Sequence, residues 1–128
     1  MGRGLRAGRQ RHRSVTRRID LIAAEAVGEG EMQMVWTDGG ASPVLVLRSG
    51  GVLHALQGTC SHEYFELDRG FLTRGTLTCP LHLSRFDLDR GDPLDPPADL
   101  PLAVYPIVEE GGRVFIEVPD GPLAINEG

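Results

Sequence analysis

The feature that most constrains this chain is its punctuation. Short apolar runs are cut every few residues by glycine pairs, and no stretch of a dozen residues carries a helical apolar stripe. Met32–Thr37 and residues 44–48 and 52–56 read as strands rich in Val, Leu and Met. Asp38-Gly39-Gly40 separates the first two, and Ser49-Gly50-Gly51 marks a hairpin between the second and third. Residues 76–78 and 84–88 follow, with a turn at residues 89–92. Residues 104–108 and 114–118 flank Glu109-Glu110-Gly111-Gly112 as a terminal hairpin, with Val114, Ile116 and Val118 on one face. Eight to ten short antiparallel strands, an all-β domain, are the expectation.

A chain of 128 residues makes one domain with one modest core, which excludes a multidomain enzyme or a large catalytic barrel. No run of 18 apolar residues is present. Residues 92–101 (DPLDPPADLP) contain four prolines, which remove donors and fix φ; they read as a stiff loop outside any ladder, suited to covering something that must stay dry.

Charge divides the chain. All 13 basic residues are arginine, and seven lie in the first 18 positions, which hold no acid and carry +7. Residues 19–128 hold all 18 acids and six arginines, so they carry −12. The first 18 residues are expected to form a disordered extension without a structural role, residues 19–120 the folded domain, and residues 121–128 a C-terminal tail. The extension has no aromatics to stack on bases, and Asp20 and Glu25 interrupt the apolar stretch that a twin-arginine signal would need after Arg17-Arg18. An acidic body repels nucleic acid and suits a positively charged partner.

The chemistry lies in Cys60-Ser61-His62 and, seventeen positions on, Cys79-Pro80-Leu81-His82. Each loop offers one thiolate and one imidazole, so two converging loops give two sulfur and two nitrogen ligands. Zinc accepts such a set, but zinc fingers usually take two Cys from one loop and two His from another. Mixed loops suit a [2Fe–2S] cluster in which one iron takes the thiolates and the other the imidazoles. A Cys60–Cys79 disulfide, or simple packing of four unrelated side chains, is the plain alternative. His54 reads as a strand side chain, His12 as part of the extension, and Trp36 as core or edge packing. Glu63, Glu66 and Asp68 form either a solvated face or a docking surface. No serine–histidine–acid order or carboxylate pair marks a catalytic centre.

CSH, then CPLH, then SRFDLDRGDPLDPPADLPLAVYPIVEEGGRVFIEV resemble a Rieske-type ferredoxin, and specifically the small ferredoxins of bacterial aromatic-ring-hydroxylating dioxygenase systems. The likeness spans residues 19–120. It implies an antiparallel Rieske-type fold, a sandwich of small sheets with a cluster-binding subdomain. It also implies a [2Fe–2S] cluster with Cys60 and Cys79 on the inner iron and His62 and His82 on the outer iron through Nδ1.

The resemblance further implies a cytoplasmic, monomeric one-electron carrier, not itself an enzyme. A flavin-containing NAD(P)H-dependent reductase would supply the electron and a terminal ring-hydroxylating oxygenase would receive it, with no nucleic acid or membrane involved. A Rieske subunit of a stable oxidoreductase complex, or a zinc-binding structural module, is the alternative. Respiratory relatives carry an extra cysteine in each loop; here Phe65 and Leu81 stand there. Ser84 occupies the position of a serine that donates to the cluster, but Phe86 replaces a second donor, a tyrosine. Fewer donors imply a potential at the low end of the Rieske range, about −150 to 0 mV. Many relatives have glycine after the second histidine, where this chain has Leu83.

Overall fold

The computed structural model describes residues 16–96 and 98–127. Among these residues nine strands form three antiparallel three-stranded sheets. β1 (Thr16–Ala23), β9 (Arg113–Pro119) and β8 (Ile107–Glu110) make the first, in that order. β2 (Met32–Thr37), β3 (Ser42–Ser49) and β4 (Val52–Gln57) make the second, and β5 (Phe71–Thr73), β6 (Thr76–Cys79) and β7 (Ser84–Asp87) the third. The described residues contain 3₁₀ turns but no α-helix.

β3 explains how the sheets assemble. Its residues Pro43–Leu47 are apolar without alternation, the mark of a strand covered on both faces. Val44 and Val46 face one core with Leu21, Ala55, Val114, Ile116 and Val118. Leu45 and Leu47 face a second core with Leu56, Leu67, Leu77, Phe86, Leu88 and Leu102, which also takes in Cys60 and Cys79. Each fully buried side chain of this kind contributes about 1.5–3 kcal/mol. β3 is thus a wall shared by two cores.

The hairpins follow the glycines. Ser49 pairs with Val52 across Gly50 and Gly51, whose φ values of 62° and 80° are those of a tight hairpin turn. Glu110 pairs with Arg113 across Gly111-Gly112, so Glu109 and Glu110 belong to β8 rather than to the turn. Residues 104–108 are not one strand. Val104 makes a single bridge to Leu56, and β8 starts only at Ile107, after Pro106, which has no N–H to give a ladder.

The boundaries expected for the domain move outward. β1 begins at Thr16 and pairs Arg17 with Val118 and Arg18 with Glu117, so Arg17 and Arg18 belong to the sheet and not to an extension. Arg17 pairs with Asp38 at 3.1 Å, and Arg18 with Glu110 at 2.6 Å and Glu117 at 2.7 Å. Residues 1–15, with His12, lie outside the described residues. Residues 121–127 pack onto the domain: Leu123 is buried, and the Tyr105 hydroxyl donates to the Ala124 carbonyl at 2.6 Å.

Candidate metal centre

Two loops meet at one end of the molecule, and each is closed by its own backbone. In the first, the Cys60 N–H donates to the Phe65 carbonyl at 3.0 Å, and Thr59 bridges Glu66. In the second, Cys79 at the end of β6 pairs with Ser84 at the start of β7, and residues 80–83 form the tip. Leu67 and Leu77, both fully buried, anchor the two loops in the same core.

The loops sort their side chains by chemistry. Cys60 and Cys79 are buried and unbonded as cysteines, so no disulfide joins them. Burial first, and the neighbouring Cys60 after it, push the Cys79 thiol up to about 11, with the N–H groups of Leu81 and His82 working against them. Cys79 therefore lies against Cys60 with the Leu81 and His82 N–H groups beside it, the surroundings of a thiolate ligand. His62 and His82 point outward with side chains 32% and 43% exposed. Their ring centroids are 5.3 Å apart with an interplanar angle of 73°. The structure thus brings thiol to thiol inside and imidazole to imidazole outside.

One contact fixes the histidine tautomer. His82 Nε2 lies 2.8 Å from Glu63 Oε1. A carboxylate only accepts, so Nε2 carries the proton, and in the neutral ring the Nδ1 lone pair remains for a metal. The same Oε1 is 3.9 Å from His62 Nε2.

The surroundings suit a group that offers acceptors between the loops. Ser84 Oγ is buried and has no partner among the described residues. A buried hydroxyl without a bond costs about 1–3 kcal/mol, and sulfide or thiolate sulfur at the hairpin mouth would satisfy it. Two soft thiols inside and two imidazole nitrogens outside complete a donor set that fits a [2Fe–2S] cluster of mixed ligation.

The proline-rich segment closes the base. The Ser61 hydroxyl donates to the Leu100 carbonyl at 2.6 Å, and Ala98 and Leu102 are buried in the core that holds both cysteines. The segment does touch a ladder, against expectation: Pro93 bridges Phe86 and the Leu94 N–H donates to Arg85. Pro93 lacks a donor, but its neighbour supplies one. Gly91, with φ of 75°, lets this segment approach, since a Cβ there would run into the Leu102 carbonyl.

Sequence reasoning missed two residues. Gln57 is fully buried and acts as a hub: its Nε2 donates to the Thr59 and Asn126 carbonyls, and its Oε1 accepts from the Ala103 and Asn126 N–H groups. A glutamine ending an apolar strand was the available signal. Glu63 was read only as a solvated or docking acid, because its partner lies nineteen residues away. Of the other candidates, His54 sits in β4 opposite Leu47, and Trp36 is 46% exposed on the edge strand β2.

Residues 18–106 match the Rieske [2Fe-2S] domain family. The chain is 40% identical over 105 residues to the 3-phenylpropionate/cinnamic acid dioxygenase ferredoxin subunit of Escherichia coli K12, covering 80% of this chain and 95% of that one. The ferredoxin of carbazole 1,9a-dioxygenase from Nocardioides aromaticivorans IC177 superposes with a TM-score of 0.72 at 28% identity, over 80% of this chain and 98% of that one. A chain of the complex of reduced oxygenase and oxidized ferredoxin in carbazole 1,9a-dioxygenase gives 0.71 at 30% identity, over 77% and 99%. Described from its own residues and from these likenesses alike, the chain belongs to the Rieske [2Fe–2S] domain family and carries a Rieske-type cluster.

Proposed function

We propose that Cys60, His62, Cys79 and His82 hold the cluster, and that this protein carries single electrons to a terminal aromatic-ring-hydroxylating oxygenase from a flavin-containing NAD(P)H-dependent reductase. Bound there, the cluster supplies a one-electron couple, two ferric irons when oxidised and one ferrous when reduced. The chain's residues do the rest. Cys60 and Cys79 would anchor the cluster at the second core, in which both are buried. The Leu81 and His82 N–H groups lie beside the Cys79 sulfur and favour negative charge there. His62 and His82 present imidazole edges at the surface, the shortest route to a docked protein.

The observation that carries this reading is the segregation of buried thiols from surface imidazoles that meet edge to face. Exposed apolar side chains flank the histidines in sequence: Tyr64, Leu81 and Leu83 are 71%, 41% and 64% exposed. Such a rim suits the small, short-lived interfaces of electron-transfer encounters. The oxygenase partner is supported by the relatives, which are ferredoxin components of dioxygenases, one of them seen with its oxygenase. The reductase follows from the chemistry, since an electron carrier needs a donor. A cytoplasmic, monomeric protein accompanies this reading, and no described helix is long and apolar enough to cross a membrane.

Electron paramagnetic resonance of dithionite-reduced protein tests the assignment. A histidine-ligated [2Fe–2S] signal is expected, lost in His62→Ala and in His82→Ala. A colourless protein holding one zinc ion, or a signal unchanged in both variants, would refute it.

A further inference from the structure

We infer that Glu63 is a positioning residue that holds the His82 ring and lowers the reduction potential of the centre. The inference rests on the ligand assignment proposed above. Its basis is the 2.8 Å bond from His82 Nε2–H to Glu63 Oε1. That oxygen is also 3.9 Å from His62 Nε2, so one carboxylate sits against the outer nitrogens of both histidines. One ligand atom from each of His62, Glu63 and His82 falls within 4.8 Å of the others.

The physical effect has two parts. A carboxylate accepting from one imidazole nitrogen makes the ring a stronger electron donor through the other. Its negative charge also opposes the electron that arrives on the iron behind that ring. Both favour the oxidised state. Reduction adds one electron and turns one ferric iron ferrous; Glu63 gains and loses no bond, and no proton need move.

The bond also has a steric consequence. His82 leaves a hairpin tip between exposed Leu81 and exposed Leu83 and is itself exposed. Glu63, from the other loop, ties the two tips together across nineteen residues of sequence. Glu63 is itself half exposed, which places it within reach of salt and of a docking partner.

The test uses the cluster-loaded protein at one fixed pH and ionic strength, with three variants: Glu63→Gln, Glu63→Ala and, as a charge control in the distal sheet, Glu109→Gln. Reduction potential is read by redox titration, and ligation by paramagnetic resonance. Glu63→Gln and Glu63→Ala should each favour reduction by about tenfold in the equilibrium constant, which is about 59 mV upward for a one-electron couple. Glu109→Gln should shift it far less. Potentials equal to wild type in both Glu63 variants, with the histidine-ligated signal intact, would overturn the inference and leave the ligand assignment standing. An equal shift in all three variants would overturn it too, because net charge alone would then be responsible. Loss of the cluster in both Glu63 variants would replace tuning by a role in assembly. Absence of a histidine-ligated signal in the wild type would instead remove the ligand assignment beneath it.

Discussion

Leu83, one residue after His82, has φ of 59° and is 64% exposed. The left-handed region costs a residue with a Cβ about 1–2 kcal/mol, and the exposed side chain recovers little of that by burial. Leu83→Gly should therefore raise stability by about 1 kcal/mol, seen as a higher thermal midpoint. An unchanged or lower midpoint would mean that the leucine packs after all. The four candidate ligands were legible in the sequence because cysteine and histidine at these spacings have few other uses. Glu63 was not, since an acid beside His62 gives no local sign of reaching His82 from the opposite loop. Gln57 was hidden for a related reason: a buried amide is recognised only by its four bonds, three of them to segments distant in sequence.

At the scale of the element, Glu29 shows how a hairpin is held. Its carboxylate accepts the Gly51 and Gly50 N–H groups, each at 2.7 Å, and these bonds hold its carboxyl below the usual carboxylate range. A depressed folded-state value gives stability that is complete above the ordinary carboxylate range and lost as pH falls through the folded value. Asp38 beside Arg17 and Asp95 beside Arg85 are lowered in the same direction and lose their contribution over the same acid range. Glu29→Gln should lower the thermal midpoint at neutral pH, with the gap to wild type narrowing as pH falls below the ordinary carboxylate range. A gap independent of pH would exclude the carboxylate as its cause. Strands with glycine-marked ends, such as β2, β4 and β9, were legible to within a residue or two. β5 is three residues long, too short for any periodicity, and β1 begins among arginines whose role depends on acids in β8, β9 and the Asp38 turn.

For the molecule as a whole, charge sets how it meets partners. Residues 19–128 carry −12, and Glu63 stands beside the exposed histidines. Complementary charge speeds encounter and is screened by salt over about 10 Å at 0.1 M ionic strength. Reduction by the proposed flavin reductase should therefore slow as salt is added; stopped-flow rates indifferent to ionic strength would remove steering by this acidic body. The architecture was legible as all-β, but its assembly was not. An unbroken apolar run at residues 43–47 tells that both faces are covered without telling by what, and only the structure shows two different cores there. Because β3 is common to both, loosening of the β1-β9-β8 sheet disturbs the wall that also packs against Cys60 and Cys79. Bleaching of the chromophore thereby becomes a thermometer for the entire protein, reporting damage as remote as the β8–β9 hairpin.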